Sequence, residues 1–258
     1  MNKLNFKNIA EELVHTFLEA GKIAKEISAK GIKITIKPDN SPVTNGDLAV
    51  DEILRNKIQK LTPDITIISE ETVDLNIKNI NENFWLIDPI DGTKDYISKK
   101  EEYTLNAALI INRIPVIGII YAPAKDRLFY SYGNKLAFEI RNGNKKNLSC
   151  EKKNSDTIIG LHHLGLITEE TSNIYKMYKV SKILKMSSSL KFCILASGEA
   201  DIYAANARAF EWDIAAGHAI LTHAGGVMTD HNKKNILYGK HGFKNPSILA
   251  TRNKDLKK

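Results

Sequence analysis

The sequence predicts an α+β fold, a layered sandwich of helices packed on a mainly antiparallel sheet, with the functional site between its two halves. Three observations carry that prediction: apolar residues at helical spacing open the chain, strand-like segments separated by turn signals fill its middle, and short strands alternating with helices follow a polar, lysine-rich stretch.

Phe6, Ile9, Leu13, Phe17, Ala20, Ile23, Ala24 and Ile27 recur every three or four residues, so a long amphipathic helix comes first. Ile32, Ile34 and Ile36 then alternate as a strand. Thr44-Asn45-Gly46-Asp47 has the form of a capping box and starts a second helix toward Leu61. Short strands are expected at 65–68 and at Phe84-Trp85-Leu86-Ile87, the latter running into an acidic turn. Across residues 103–140 several strands follow one another as an antiparallel meander, with a turn at Gly133-Asn134 and a close at Asn142-Gly143. Beyond the polar stretch 142–156, strands and helices alternate near Thr157, Thr168, Lys182, Ser187, Asp201, Trp212 and Val227. A soft boundary therefore falls near residue 150. It separates an α+β half, residues 1–150, from an α/β half, residues 151–258.

Composition narrows the function classes. The chain has 258 residues, 43% hydrophobic and 26% charged, enough to bury a substantial core. No run of apolar residues is long enough to span a membrane, and the first residues lack the apolar core of a signal peptide, so a cytoplasmic protein is expected. Cys150 and Cys193 make neither a disulfide framework nor a zinc site and read as reduced, structural cysteines. The formal charge of +7 comes mostly from scattered lysines; no basic cluster interleaves with aromatics, so an extended nucleic-acid surface is not expected. The tail 252–258 reads as solvated.

The acids are more informative. Asp88-Pro89-Ile90-Asp91-Gly92-Thr93 follows an apolar strand, placing two carboxylates three residues apart at its end. Held near 4 Å, two such groups repel by about 4 kcal/mol at an effective dielectric of 20, a cost that a divalent cation between them would offset. Magnesium prefers oxygen ligands of this kind. A single Asp before Gly is more often an Asx-turn or a cap. Glu70 ends another short strand, Asp213 begins the apolar helix after Trp212, and Asp47 closes the capping box; each alone has an ordinary structural explanation, but four acidic segments at element ends are what a multi-metal site requires.

In order along the chain, Pro42-Val43-Thr44 leading to Asp47, Ser69-Glu70-Glu71, Trp85 through Thr93, and Trp212-Asp213-Ile214-Ala215-Ala216-Gly217 with Gly225-Gly226 resemble the motifs of the lithium-sensitive inositol monophosphatase superfamily. The resemblance covers nearly the whole chain and implies an αβαβα sandwich. Lys37 through Thr44, Tyr121-Ala122-Pro123 and Ser188-Ser189-Leu190-Lys191-Phe192-Cys193 are most similar to the bacterial 3'(2'),5'-bisphosphate nucleotidase branch, which converts adenosine 3',5'-bisphosphate to AMP.

By that resemblance, Glu70, Asp88 and the Ile90 carbonyl bind one magnesium ion, Asp88, Asp91 and Asp213 a second, and a third, looser ion sits by Glu70. One metal acidifies a water and the other stabilises the departing oxygen. Asp47 and Thr93, with Glu70, would handle the attacking water, and the backbone of Gly92 and Thr93 would cradle the phosphate. His163, Ser188, Lys191 and Arg208 are the substrate-binding candidates, together with Asp91 and Asp213; any one lysine in so lysine-rich a chain otherwise reads as solvated. Related nucleotidases carry Ser-Arg-Ser-His where this chain has Gly160-Leu161-His162-His163, and Tyr-Pro-Arg where it has Tyr203-Ala204-Ala205. Two arginines suited to bidentate phosphate contacts are thus replaced. The rival readings are an inositol monophosphatase or other sugar phosphatase, and a non-catalytic member binding nucleotide or RNA; the second predicts a lost metal ligand, and none is missing. The resemblance implies a small phosphorylated substrate and a monomer or homodimer.

Overall fold

The computed structural model describes residues 4–77, 79–150, 157–253 and 256. Helix α1 (Phe6–Lys30) is capped by the Asn5 side chain, which accepts from the Asn8 N–H at 3.0 Å, and buries Ile9, Leu13, Phe17, Ala20 and Ala24 along one stripe. Strands β1 (Ile34–Ile36) and β2 (Pro42–Thr44) form an antiparallel hairpin of their own. The alternation seen in the sequence is a strand but has no core face here, since Ile34 and Ile36 are exposed. Helix α2 (Asn45–Leu61) follows, with the capping box formed by Thr44 and Asp47.

A seven-stranded sheet comes next in chain order, β3 (Thr66–Ser69), β4 (Phe84–Asp91), β5 (Thr104–Ile111), β6 (Ile114–Ala122), β7 (Arg127–Ser131), β8 (Ala137–Arg141) and β9 (Asn144–Asn147). Only β3 and β4 are parallel. Beyond a one-residue shift of β3, two boundaries differ from the sequence reading. Strand β4 continues through the acids to Asp91 instead of ending at Ile87, and Asn142-Gly143 is the turn into one more strand, β9, instead of the close of the series.

The second sheet has the order β11 (Lys182–Lys185), β10 (Ile159–His162), β12 (Ile202–Ala205), β14 (Ile248–Thr251), β13 (Val227–Thr229). Helices α4 (Glu169–Met177), α5 (Leu190–Ala196) and α6 (Glu211–His223) alternate with its strands. The alternation expected beyond residue 157 is present; β14, inserted antiparallel between β12 and β13, is an addition to it.

Three apolar clusters define the layers. Helices α1 and α2 bury Leu13, Phe17, Val50 and Leu54 against Trp85, Leu105 and Ile119 on one face of the large sheet. Its other face, with Phe84, Leu86 and Phe129, meets α5 and α6, which lie on Tyr203 and Ala250 of the second sheet. Tyr175 of α4 covers Ile202, Ala204 and Leu249 on that sheet's outer side. The architecture is an αβαβα sandwich. Helix α6 is buried between two sheets, which explains why it is apolar on nearly every side. It approaches β6 so closely that a Cβ at Gly118 would lie 2.3 Å from the Ala216 carbonyl oxygen.

Arg252 is a correction to the solvated tail. It is buried, its Nε donates to Asp201 and its guanidinium donates to the Cys150 carbonyl at 3.2 Å, so an ion pair and a backbone contact hold it in place. Residues 254, 255, 257 and 258 of that tail, and 151–156 of the polar stretch, lie outside the described residues.

Candidate active site

Side chains along β4 alternate, Phe84 and Leu86 toward α6, Trp85 and Ile87 toward α1 and α2. Continued strictly, that alternation would send Asp88 and Asp91 to opposite faces. It is broken by one residue. Asp88 pairs with Asn106 and Asp91 with Thr104, three steps on β4 against two on β5, so β4 carries a bulge. Ile87 and Ile90 consequently share the α1/α2 core although three residues apart, and the two aspartates share the opposite face. Pro89 sits within the bulge, where its missing N–H is no loss to the ladder.

Glu70 is the first residue beyond β3, fixed by its N–H to the Ile87 carbonyl at 3.0 Å. Asp213 is the third residue of α6, and its Oδ2 accepts the Phe210 N–H at 2.8 Å. Carboxylate oxygens of Glu70, Asp88 and Asp213 all lie within 4.8 Å of one another. Asp88 is buried, and its Oδ1 has no hydrogen-bond partner. Burial and the neighbouring carboxylates push the carboxyl groups of Asp88 and Asp213 well above the ordinary range, and Glu70 up to about 7 despite the opposing charge of Lys37. An all-oxygen cluster of acids that repel one another, one of them holding an orphaned buried oxygen, fits a hard divalent cation.

Asp91 stands beside this trio. Its Oδ2 accepts the N–H of Ser189, the residue before α5, while burial raises its carboxyl and Lys191 and Ser189 work against the rise. Ser189 is in turn held by its hydroxyl, 2.6 Å from Asn106 Oδ1 and 2.8 Å from Thr104 Oγ1, the two residues opposite the bulge. Gly92 follows in the left-handed conformation, φ +92°, and turns the chain into the five-residue helix α3 (Thr93–Ile97).

Asp47 and Thr93 meet from different elements. Thr93 Oγ1 lies 3.2 Å from Asp47 Oδ1 and 3.1 Å from the Ile90 carbonyl, and its single proton serves one of them at a time. The other Asp47 oxygen accepts from the Thr44 N–H at 2.8 Å and from its hydroxyl at 2.5 Å. The capping box therefore orients the same carboxylate toward the site, and burial raises its carboxyl despite those bonds. Lys37 and Glu71 were not among the sequence candidates. Lys37 Nζ lies 2.7 Å from Glu71 and 3.7 Å from Glu70; burial opposes its charge, but the two glutamates hold its pKa above the ordinary value. The paired acids of Ser69-Glu70-Glu71 were the available signal.

A cleft adjoins the acids, lined among others by Asp91, Ser188, Lys191, Tyr203, Ala205 and Arg208, with Asp213 at the shared edge. Lys191 is 5% exposed rather than solvated, its ammonium donating to the Ser188 carbonyl and lying 5.4 Å from the Tyr203 ring. Burial lowers it to about 8, with Asp91 holding it up. Arg208 is exposed at the rim. His163 is not part of the cleft lining; burial and the nearby Arg208 lower it to about 4. Of the two positions at which the resemblance leads one to expect an arginine, Ala205 lines the cleft whereas Leu161 is buried in the central core.

The family model for the inositol monophosphatase family matches residues 5–258. The chain belongs to that family. Among its relatives, a protein of Buchnera aphidicola named 3'(2'),5'-bisphosphate nucleotidase CysQ is 34% identical over 250 residues, spanning 92% of this chain and 93% of the relative. The Escherichia coli K12 protein of the same name is 32% identical, spanning 86% and 90%. The crystal structure of CysQ from Bacteroides thetaiotaomicron superposes with a TM-score of 0.80 at 28% identity, covering 96% of this chain and 98% of that one. An inositol monophosphatase from Anabaena, 23% identical with a TM-score of 0.76, shares the fold. No helix among the described residues is long and apolar enough to cross a membrane.

Proposed function

We infer that this protein is a magnesium-dependent phosphomonoesterase that removes the 3'-phosphate of adenosine 3',5'-bisphosphate, giving AMP and phosphate. The observation that carries the reading is the Glu70–Asp88–Asp213 oxygen cluster, with its orphaned Asp88 Oδ1, which shares Asp213 with a cleft that holds a buried lysine and an exposed arginine. A substrate with two phosphates fits that polarity, one phosphate at the acids and the other near the cations. The names of the relatives support the choice of substrate.

Glu70, Asp88, Asp213 and the Ile90 carbonyl, joined by Asp91, would hold two magnesium ions, with a third, looser ion beside Glu70. Bound there, magnesium supplies the charge that polarises the phosphate, acidifies a water and steadies the leaving oxygen. The chain's own residues do the rest. Thr93 donates its hydroxyl proton to Asp47 and accepts one from the attacking water, which orients that water and moves its proton to a carboxylate whose pKa burial has raised. The Gly92–Thr93 backbone, at the turn into α3, faces the transferred phosphate. Lys191 and Arg208 bind the second phosphate, with Ser188 beside them; His163 acts from outside the cleft wall, near Arg208. The protein works in the cytoplasm, as a monomer or homodimer.

Product analysis tests the reaction. Incubation with adenosine 3',5'-bisphosphate and magnesium should release one phosphate and leave 5'-AMP on chromatography. Accumulation of 3'-AMP would place the wrong phosphate at the acids.

A further inference from the structure

Segment 206–210 joins β12 to α6 and carries Arg208 to the cleft rim, yet it belongs to no regular element. Its backbone is tied down from far along the chain. The Asn245 N–H donates to the Ala209 carbonyl at 3.0 Å, and the Asn245 side-chain Nδ2 donates to the Phe210 carbonyl at 2.6 Å. The N–H of the same Phe210 is the donor that occupies Asp213 Oδ2. One residue of the closing loop thus grips the residue whose amide orients a carboxylate of the acid cluster. Asn245 is 4% exposed, so these bonds form away from water.

Glu211 supplies a second grip one residue farther on. Its carboxylate is fully buried and accepts the Gly239 N–H at 2.7 Å, the Lys240 N–H at 3.0 Å and the Lys240 ammonium at 2.5 Å. A buried acid with three donors, two of them backbone, is committed to holding and is not free for chemistry. The loop it holds is anchored independently, since Arg113 Nε donates to the Tyr238 carbonyl at 2.9 Å and the Tyr238 N–H donates to the Arg113 carbonyl at 3.0 Å.

We infer that Asn245 and Glu211 are positioning residues for the metal centre: through the Phe210 peptide and the first turn of α6, they set the orientation of the Asp213 carboxylate and the placement of Arg208. This rests on reading Asp213 as a magnesium ligand. Loss of the Asn245 side-chain bond would free the Phe210–Glu211 peptide, and the rotation that this allows about the Phe210 backbone would draw the Phe210 N–H off Oδ2 and free the carboxylate to turn away from Glu70 and Asp88. Groups that orient ligands in this way commonly control metal affinity by about tenfold or more.

The test measures magnesium binding apart from turnover, by titrating magnesium against the melting temperature of the full chain, alongside the melting temperature in EDTA. Asn245→Asp keeps the shape but replaces the donor to Phe210 with an acceptor, and Asn245→Ala removes it. Both should raise the magnesium concentration for half-maximal stabilisation about tenfold. Glu211→Gln, which keeps acceptor oxygen, should give a smaller rise. Arg113→Ala loosens the loop that Glu211 grips but leaves both Asn245 bonds in place; it should lower the melting temperature in EDTA and move the magnesium midpoint less than the Asn245 variants do. If the Asn245 variants lower stability in EDTA yet keep the wild-type midpoint, their role is structural and the inference is overturned. Should Asn245→Ala not fold, Asn245→Asp and Glu211→Gln decide the matter. Asp213→Asn separates the two claims: if it also leaves the midpoint unchanged, the ligand assignment itself has failed, whereas a loss of binding there with none in the Asn245 variants refutes positioning alone.

Discussion

Asp88 and Asp91 stand on one face of β4, three residues apart in a strand whose side chains otherwise alternate, because a bulge opposite Asn106 and Thr104 absorbs one residue between them. Two acids are thereby forced together with Glu70 and Asp213, and the repulsion should be measurable. Since burial and its neighbours raise Asp88's carboxyl well above its unfolded value, ionising it at neutral pH costs stability in the absence of metal. Asp88→Asn should therefore raise the melting temperature in EDTA by a few degrees and abolish the further rise that magnesium gives the wild type. Asp91→Asn should fold in EDTA and lose at least about a hundredfold in turnover. A metal-free Asp88→Asn protein less stable than wild type would contradict this account of the cluster.

Lithium chloride should inhibit at fixed magnesium, while sodium chloride at the same concentration should not. A small monovalent cation can take an oxygen site without bringing the charge that the leaving oxygen needs. The two titrations, run side by side on phosphate release, separate site occupancy from ionic strength; coincident curves would argue against such occupancy.

Lys191 is the buried cation of the cleft, so its removal should be felt most by a substrate with a second phosphate. Lys191→Ala should raise KM for adenosine 3',5'-bisphosphate by about tenfold or more, in line with roughly 1.5 to 3 kcal/mol for a charge-assisted bond. A monophosphate lacking the second charge should be affected less. Equal rises for both substrates would remove Lys191 from second-phosphate recognition.

His223, on α6, places Nδ1 2.9 Å from Ser131 Oγ and is lowered by burial to about 4. Its folded pKa lies below its unfolded value, so between pH 6.5 and 4 the unfolded chain takes up the proton first and stability falls with pH. One unit below 6.5 the cost is about 1.4 kcal/mol. Denaturant titrations of wild type and His223→Gln should show the variant gaining on wild type by about that amount from pH 7.5 to 5.5. A difference independent of pH would mean that His223 titrates alike in both states.

The acids were legible because four acidic segments recur in order at element ends, two where apolar strands finish and two where helices begin, a coincidence that the ordinary explanation of any single one does not cover. The helices and the meander were legible from periodicity for the same reason that they fold, one face being apolar. What escaped lacked that signal. Strand β9 has four exposed polar residues and so no alternation to detect. The bulge is a property of the β4–β5 register, and Asp88-Pro89 read locally as an ending. Lys191 was named as a substrate-binding candidate only through the family resemblance of its segment, whereas Arg252 was not singled out, because it is buried by where β14 comes to rest and nothing in its neighbouring sequence shows that. Lys37 escaped because its partners, Glu70 and Glu71, are distant in sequence and meet it only through the β1–β2 hairpin.

If the acid cluster and the adjoining cleft together serve a nucleoside bisphosphate, Ala205 in the cleft wall makes the demand on Arg208 severe, because Arg208 must supply from three residues away what an arginine at 205 would give. The most direct measurement is kcat/KM for adenosine 3',5'-bisphosphate and for inositol 1-phosphate on the same preparation, with magnesium and with excess EDTA. The bisphosphate should give the higher value, and neither substrate should be hydrolysed in EDTA. A higher value for inositol 1-phosphate would contradict the nucleotidase assignment, and undiminished hydrolysis in EDTA would contradict the metal-dependent mechanism itself.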